Sequence, residues 1–463
     1  MAHRPLALAF LVALSQQATA DKLSLLDLYG QTLTSHPVLK GKEYAIDQAA
    51  ATKDQVLANL LPQISATGNL SWNELTQAQQ AKKTVLTPTR PVSVTVTTVN
   101  TTTYQGTRGI IQARQALFDV PSVLRLQGAL AAVHQTEQDL EAARMAVAAD
   151  LIDRYFQALE AADTIGYIHG EQALTEAELN RIRKMRERQL APITDLYEVE
   201  AYYQTLKTNE LEAQNARAVA LEKLRETAGI EVPDVATLRS DELPPVPGKV
   251  EQWVNDALNR HPALLALHYA EESARKAIAS TRAQHLPQVA LQASETYADN
   301  GGFDNRRLPR YTVGTLGLQL NVPIFSGGAI EAGAREATAQ YHMTQEQRTE
   351  KLREIERETR TAWLNAELGR ARIDATGKEV EARAKARDAQ EKSYQLNIAT
   401  ISTLLESKKN VLKAQVEHAK SRYDYIRALV SLRLWSGSLA QNDIEDIDDW
   451  LEKAQPSTSK RSK

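Results

Sequence analysis

Two segments of the chain alternate strictly between apolar and polar residues, which is the period of a β-strand with one apolar face. In residues 62–74, polar residues separate the apolar positions Ile64, Ala66, Gly68, Leu70 and Trp72. In residues 312–325, Leu316, Leu318, Leu320, Val322 and Ile324 share one face, opposite Thr315, Gly317, Gln319 and Asn321. Residues 107–119 and 287–297 alternate less regularly. The pattern predicts four strands of about ten residues, a length that suits a tilted membrane span.

The segments between the paired strands are polar and contain few residues that could form a core. Residues 74–103 are rich in threonine and glutamine, and residues 298–310 contain two glycines and several arginines. We interpret both segments as surface-exposed loops. Four strands in one chain cannot close a barrel, because about eight strands are the working minimum. A closed barrel would therefore need strands from several chains.

Two much longer segments have the composition of α-helices. No proline occurs within residues 122–191 or 324–455, and both segments are rich in Ala, Glu, Lys, Arg and Leu. We predict long helices over about residues 121–189 and 329–396, each about 100 Å long at the rise of an α-helix.

Medium helices are predicted after the long ones, over roughly residues 195–228 and 403–435. In the second of these, a heptad repeat is formed by Leu405, Leu412, Ala419 and Ile426. A seven-residue apolar repeat is typical of coiled-coil packing. The expected fold is therefore mainly α with a small β part, with long helices packed side by side.

Short motifs of the first half of the chain recur in the second half in the same order. His36-Pro37-Val38-Leu39 recurs 225 residues later as His261-Pro262-Ala263-Leu264. Leu61-Pro62-Gln63 recurs at the same distance as Leu286-Pro287-Gln288. Each match is short, but the shared order and spacing indicate that the chain is internally duplicated.

The duplication sets the expected domain organisation. Residues 1–20 have the basic start, short apolar run and small final residues of a signal peptide. The first repeat then covers residues 21–230, and the second covers residues 251–437. A proline-containing linker, residues 231–250, and a C-terminal segment, residues 438–463, are the places for a small side domain. We expect the last residues to be disordered.

Composition excludes several classes of protein. The 463 residues include no cysteine, so packing rather than disulfides must hold the fold, and a lipid-anchoring cysteine is absent. A formal charge of -3 gives no reason to expect a nucleic-acid partner. Charged residues interrupt every apolar stretch beyond the first 20 residues, so we predict no transmembrane helix. If the chain spans a membrane, it must do so with the strands of a closed barrel.

The motifs of catalysis and cofactor binding are not found in the sequence. There is no GxxxxGK[ST] phosphate loop and no GxSxG nucleophile motif. The nine histidines do not have metal-ligand spacing. We therefore expect no enzyme activity, no metal site and no cofactor.

The junction between the last predicted strand and the next helix carries the most specific motif. It reads Leu320-Asn321-Val322-Pro323-Ile324-Phe325-Ser326-Gly327-Gly328. A proline ends a strand ladder, an aromatic suits a membrane interface, and glycines let the backbone turn into a helix. The junction residues are Pro121 in the first repeat and Pro323, Phe325, Gly327 and Gly328 in the second. Together with the duplication, this motif resembles the TolC family of outer-membrane efflux and type I secretion proteins, from about residue 23 to residue 437.

The resemblance implies a homotrimer in the outer membrane of a Gram-negative bacterium, in contact with outer-membrane lipid. Three times four strands would form a 12-stranded transmembrane β-barrel, joined to a long coiled-coil α-helical barrel in the periplasm. The linker and C-terminal segment would form an equatorial region. The implied partners are a periplasmic adaptor (membrane fusion) protein and an inner-membrane ABC or proton-driven pump. The implied function is passive exit of substrates in type I protein secretion, multidrug efflux or both.

The resemblance also implies roles at the closed periplasmic end of the tunnel. By position, Asp195 and Tyr394 fall where links between helices are made, and Glu406 falls where an acidic ring lines the entrance. Ala399 stands where an arginine can be found, and Thr403 where a second acid can be found. The lock is therefore expected to be weaker. The residues alone leave simpler alternatives open: a helix N-cap for Asp195 and a solvated charge for Glu406.

A protein of another class could share the helices of this chain. A trimeric coiled-coil structural or adhesive protein of the cell envelope is the alternative, but it would need no alternating strands. Conduction of ions after reconstitution separates the two functions, because only a channel conducts.

Overall fold

A computed structural model of the chain describes residues 24–86, 88, 90–239, 243–299 and 310–451. The predicted signal peptide and the predicted disordered tail lie outside these residues. The described residues form two compact units. The helical unit contains the residues up to Ala45, Glu137–Ala266 and the residues from Arg348 onward. The sheet unit contains Ile46–Thr136 and Leu267–Gln347.

The same order of elements occurs twice along the chain. The first repeat contains α1 Leu25–Ser35, α2 Pro37–Ala58, β1 Gln63–Leu86, β2 Pro91–Phe118, α3 Val120–Glu187 and α4 Ile193–Ala228. The second repeat contains α5 Val250–Arg260, α6 Pro262–Ala283, β3 Gln288–Asp299, β4 Arg310–Asn321, α7 Ala329–Gln395 and α8 Ile401–Trp435. The helix α9, Gln441–Asp448, follows. The prediction of a mainly helical chain with a small sheet is confirmed.

The recurring His-Pro motif explains where the short helices end. His36 and His261 are the C-caps of α1 and α5, and both have extended backbone with ψ of 123° and 121°. A residue before proline avoids the helical region, whereas proline itself is well suited to the first helical position. Each motif therefore ends one helix and starts the next. In the described part of the chain, no helix combines the length and apolar character needed to cross a membrane.

The four strands form one antiparallel sheet in the order β1-β2-β3-β4. β2 pairs with β3 from Thr107, opposite Asp299, to Phe118, opposite Val289, with an irregularity between Ala116 and Phe118. The large apolar side chains that alternate along β1 and β4 are exposed, at 61–76%. They are Ile64, Leu70, Trp72, Leu316, Leu318 and Leu320. The strands therefore show an apolar face to their surroundings rather than to a core.

The first hairpin differs from the sequence-based prediction. Residues 74–103 were expected to form a polar loop, but β1 and β2 continue through them and remain paired up to Leu86, opposite Pro91. Threonine and valine dominate this stretch, and β-branched residues favour strands. The loop prediction is therefore wrong, because the β-propensity of this stretch outweighs its polarity. β4 also differs from the strand predicted over residues 312–325. It ends at Asn321, because Pro323 cannot donate a ladder hydrogen bond.

The core of the helical unit combines residues of both repeats. From α3 it contains Leu151, Ile152, Tyr155, Phe156 and Leu159, and from α8 it contains Tyr423, Tyr425, Ile426 and Val430. The predicted heptad positions Leu405, Ala419 and Ile426 are at most 8% exposed. The seven-residue pattern therefore marks the buried stripe of α8.

The linker and the C-terminal segment contact each other within the helical unit. Leu238 forms an isolated antiparallel bridge with Leu451, and the Arg239 N–H donates to the Trp450 carbonyl at 2.9 Å. The Ala236 N–H donates to Tyr155 Oη of α3 at 2.9 Å. These bonds fix both segments beside the helical core.

Candidate gate between the two helical turns

The turn between α3 and α4 is closed by its own backbone. Gln189 is left-handed, with φ of 59°, and the Leu190 N–H reaches back to the Met185 carbonyl at 2.8 Å. This pattern satisfies carbonyls at the end of a helix. Pro192 is the N-cap of α4, so Asp195 lies within its first turn. The simpler interpretation of Asp195 as an N-cap is therefore wrong, because the helix starts directly after the proline.

The turn between α7 and α8 has the same construction. Asn397 is left-handed, with φ of 58°, and the Ile398 N–H donates to the Ser393 carbonyl at 2.9 Å. Thr400 is the N-cap of α8, and its side chain accepts from the Thr403 N–H at 3.3 Å. The two connections therefore fix where α4 and α8 begin.

A hydrogen bond joins the two turns. Tyr394 Oη, near the end of α7, donates to Asp195 Oδ2, in the first turn of α4, at 2.8 Å. Burial raises the pKa of Tyr394, and its hydrogen bond to the Asp195 carboxylate raises that pKa further. The phenol therefore stays protonated and remains a donor. The structure thus brings together Asp195 and Tyr394, each of which the family resemblance places where links between helices are made.

The other predicted gate residues occupy different settings. Thr403 Oγ1 accepts from Gln390 Nε2 at 2.8 Å, which links α8 to α7. Glu406 is exposed, and it has no hydrogen bond or ion pair within the described residues. The structure therefore does not connect Glu406 to the Asp195–Tyr394 bond.

One link between the helical pairs was not predicted. Ser402 Oγ of α8 donates to the Glu198 carboxylate of α4. The two residues are 204 positions apart. No local pattern marks such a pair, because serine and glutamate are common on exposed helical faces.

An apolar cluster lies behind the two turns. It contains Leu179, Ile182, Ala191, Val199, Tyr202, Leu206, Ile401, Leu404 and Leu405. Tyr394 is partly buried and packs against this cluster. A side chain that is packed on one side and hydrogen-bonded at its tip loses little further entropy in making the bond. The cluster therefore holds Tyr394 in position for Asp195.

A pair of buried charged residues was also missed by the sequence analysis. Glu171 of α3 and Lys408 of α8 are each only 7% exposed. Thr175 Oγ1 donates to Glu171 Oε1 at 3.3 Å. Burial raises the pKa of Glu171, and the nearby charge of Lys408 opposes that effect. This electrostatic interaction joins α3 of the first repeat to α8 of the second.

The comparison with known families decides the identity of the chain. Residues 28–230 and 253–438 match the family described as outer membrane efflux protein. These residues are most of both repeats. The chain belongs to the outer membrane efflux protein family.

Individual relatives agree with this family along nearly the whole chain. The alkaline protease secretion protein AprF of Pseudomonas aeruginosa is 27% identical over 94% of this chain and 89% of AprF. The outer membrane protein TolC of Vibrio cholerae is 23% identical over 96% of this chain and 98% of that TolC. The crystal structure of the Campylobacter jejuni CmeC outer membrane channel has the same fold, with a TM-score of 0.74 at 15% identity over 98% of both chains.

Membership of this family gives the general function. The chain is an outer-membrane channel protein for export, and it is not an enzyme. The alternative of a coiled-coil structural or adhesive envelope protein is not favoured.

In this efflux protein, the strand-to-helix junction of the second repeat depends on two glycines. Gly327 and Gly328 have φ of 62° and 83°, which is left-handed backbone that favours glycine. The Ala332 N–H then donates to the Gly328 carbonyl at 3.0 Å and opens α7. Phe325, which follows Pro323 closely, is 86% exposed.

The junction of the first repeat reaches its helix by a different route. Asp119 precedes α3 and accepts from the Ser122 N–H at 3.0 Å, so a side chain caps this helix. Pro121 is the second residue of α3, and its carbonyl accepts from Ser280 Oγ of α6 at 2.8 Å. Ser280 is 3% exposed, so this bond is buried. The strand-to-helix turn is therefore made by left-handed glycines in the second repeat and by a side-chain cap in the first.

Proposed function

We propose that three copies of the chain form one channel through the outer membrane. Their strands combine into a 12-stranded barrel, and their helices combine into a coiled-coil tunnel in the periplasm. An inner-membrane ABC or proton-driven pump and a periplasmic adaptor protein deliver substrates to this tunnel, and the channel itself supplies only a passive exit. The observation that carries the proposal is the incomplete sheet.

Both outer edges of the sheet lack a partner strand within the described residues. β1 pairs with β2 alone, and β4 pairs with β3 alone. Lipid offers no group that could bond the free N–H and C=O groups of such edges, so a spanning sheet must close. Ile64, Trp72 and Leu316 are at least 73% exposed on the apolar face, which suits contact with lipid. Identical copies are the simplest source of the missing strands.

The class of substrate follows from the relatives. AprF carries the name of an alkaline protease secretion protein, and its similarity covers 94% of this chain. This supports type I protein secretion as one function of the channel. The family itself is described as outer membrane efflux protein, which supports export of small molecules as a second function of the channel.

We also propose that the Asp195–Tyr394 bond holds the periplasmic end of the tunnel closed. The bond joins α4 of one repeat to α7 of the other, and Thr403 adds a contact between α7 and α8. Opening requires the helical pairs to separate, so bonds between them oppose it. Glu406, one acid per subunit, then lines the entrance and binds cations.

Cysteine cross-linking tests the trimeric barrel, because the natural chain contains no cysteine. Asn69→Cys on β1 is combined in turn with Thr315→Cys, Gly317→Cys or Gln319→Cys on β4. We expect at least one pair to yield covalent trimers after oxidation in detergent. Gln112→Cys with Ser294→Cys is the control, because these positions pair within one chain and should yield a cross-linked monomer. Absence of any covalent oligomer from the edge pairs would contradict the proposal.

Planar-bilayer recordings test the gate. Tyr394→Phe removes the hydroxyl but keeps the ring, and we expect a higher conductance because the closed end loses a bond in every subunit. Tyr197→Phe is the matched control, since Tyr197 is exposed near the same turn. Glu406→Gln should weaken block by multivalent cations. Equal conductance of the natural chain, Tyr394→Phe and Tyr197→Phe would exclude the proposed lock.

A further inference from the structure

The acidic residues of the sheet all lie on one of its two faces. The described parts of the four strands contain three acids, which are Glu74, Glu295 and Asp299. Successive residues of a strand point to opposite faces, and paired residues of neighbouring strands point to the same face. By this register, all three acids fall on the apolar face that carries Leu70 and Trp72. The opposite, polar face therefore has no negative charge within the described strands.

The polar face carries two arginines of β2. Arg108 lies opposite Asn69 of β1, and Arg114 lies opposite Gln63. Both side chains are exposed, and neither forms an ion pair or a side-chain hydrogen bond with another described residue. An arginine in a protein is always charged. The polar face therefore presents two permanent positive charges that no described residue neutralises.

The neighbours of both arginines leave their guanidinium groups open. Arg108 lies opposite Ala298 of β3, and the nearest residue of β2 on the same face towards the hairpin end is Gly106. Neither has a side chain that could cover or bond a guanidinium. Arg114 lies opposite Gln292, whose side-chain amide donates to Gln319 of β4 instead. Both charges are therefore available to whatever occupies the space in front of the polar face.

The proposed trimer makes that space the lumen of the barrel, because the apolar face meets lipid. Arg108 and Arg114 would each form a ring of three, and the two rings are roughly 20 Å apart along β2 at the rise of a strand. A closed 12-stranded barrel has a backbone radius of roughly 12 Å at the usual strand spacing and tilt. The Debye length in 0.1 M salt is about 10 Å. The positive potential of the rings therefore reaches across most of the lumen.

We propose that Arg108 and Arg114 make the barrel lumen selective for anions. The inference rests on the proposed function, since a single chain has no lumen. Rings of Arg or Lys side chains select anions in pores, and a lumen lined by charge of one sign concentrates ions of the other. The substrates that the barrel favours are therefore small anions and molecules that carry carboxylate or phosphate groups.

Reversal potentials across planar bilayers test this selectivity. The natural chain is compared with Arg108→Gln/Arg114→Gln in a KCl gradient around 0.1 M. We expect the ratio of chloride to potassium permeability to fall about twofold or more in the variant. The difference should largely disappear around 1 M KCl, where the Debye length is only about 3 Å. Arg108→Lys/Arg114→Lys keeps both charges and should keep the natural ratio.

Two controls assign the effect to the lumen. Lys82→Gln removes an exposed cation of the same hairpin, but alternation along β1 places Lys82 on the face of Trp72. We expect this variant to keep the natural permeability ratio. The comparison is also made in a Glu406→Gln background, because an acid at the proposed entrance acts on the same ratio with the opposite sign. Arg108→Gln/Arg114→Gln should lower the ratio in both backgrounds.

The outcomes separate the inference from the channel itself. A conducting Arg108→Gln/Arg114→Gln channel with the natural ratio would overturn the anion selectivity and leave the channel proposal intact. A lysine variant whose ratio falls as far as that of the glutamine variant would also overturn it, since charge would not be the cause. A natural chain that does not conduct would overturn the channel, and the inference with it. If the double variant does not insert, each single glutamine variant should show part of the fall, and an unchanged ratio in both would overturn the inference.

Discussion

The two repeats have nearly equal helices and very different hairpins. α1 and α5 each have 11 residues, α2 and α6 each have 22, and α3 and α7 have 68 and 67. In contrast, β1 and β2 have 24 and 28 residues, whereas β3 and β4 have 12 each. Helices α1, α3, α4, α7 and α8 all contribute to one core in the helical unit, so their lengths are constrained together. A hairpin end has no such neighbour and tolerates extension.

The repeats also differ where the medium helix ends beside a short helix. In the first repeat, Gly229 lies next to Ser35 at the end of α1. In the second, Gly437 lies against the backbone of His261, which is 8% exposed and stacks on Trp435. The joint of the second repeat is thus packed more tightly, and the same motif carries different constraints in the two places.

The largest expected effect concerns the buried charge at Lys408. Glu200 of α4 lies at the same distance from its helix start as Lys408 does in α8. Glu200 forms a long, exposed ion pair with Arg183 at 3.8 Å. Lys408→Met should lower the free energy of unfolding by about 3 kcal/mol, because the buried Glu171 then loses the largest of the charge interactions that oppose the cost of its burial. Arg183→Gln should cost less than about 1 kcal/mol.

Urea denaturation of the purified chain, followed by circular dichroism, measures both changes. The double variant Glu171→Gln/Lys408→Met should recover most of the loss, since both charges are then removed. A loss for Lys408→Met no larger than that for Arg183→Gln would contradict the contrast between the buried pair and the exposed pair.

The next largest effect is expected at the two glycine joints. A Cβ at position 437 would lie 2.7 Å from His261 Cα, whereas one at position 229 would meet the Ser35 hydroxyl at 3.2 Å. Gly229→Ala should cost about 1–2 kcal/mol for its left-handed backbone alone. Gly437→Ala adds a backbone clash and should cost about 2–5 kcal/mol in total. Thermal unfolding midpoints of the two variants should fall in that order, and equal midpoints would contradict the tighter packing of the second joint.

Acid should destabilise the second joint through His261. Burial lowers the pKa of His261 to about 4, with a smaller contribution in the same direction from Lys351 and an opposing one from Glu354. Above the unfolded pKa of about 6.5 both states are neutral, so the stability from this group is fully present. Between pH 6.5 and 4, His261 is protonated in the unfolded state but neutral in the folded state. The free energy of unfolding therefore falls by about 1.4 kcal/mol per pH unit as the pH is lowered, and by about 3 kcal/mol in total.

Denaturation at a series of pH values measures this loss. His261→Asn keeps a side chain that can cap α6 and removes the titration, so the fall should largely disappear. His36→Asn at the less buried counterpart should leave the fall unchanged. An unchanged pH profile in His261→Asn would contradict the assignment to this histidine.

The smallest expected effect is at the two helical turns. Gln189 and Asn397 have almost the same left-handed φ, and asparagine tolerates this backbone better than glutamine. Gln189→Gly should raise stability by roughly 0.5–1 kcal/mol, and Asn397→Gly by less. Thermal unfolding shows whether the first turn gains more. A larger gain at position 397 would indicate that side-chain contacts, rather than backbone strain, decide the stability of these turns.

The contacts of the proposed gate show how far sequence reasoning reached. Asp195 and Tyr394 were placed by their position in a family pattern, and the structure joins them although they are 199 residues apart. The Glu198–Ser402 link and the Glu171–Lys408 pair have no such pattern, so the sequence analysis missed them. Each depends on which faces of two helices meet, and helical period alone leaves that choice open.

The amino-acid sequence by itself determined the local elements of this efflux protein. Proline-free helical segments, strand alternation, His-Pro boundaries and the duplicated order are set by interactions between residues that are near in the chain. The tertiary structure alone decided the links between the repeats and the burial of Glu171, Lys408 and His261. These features depend on contacts between residues distant in the chain, whose free energy is gained only when both repeats pack around one core.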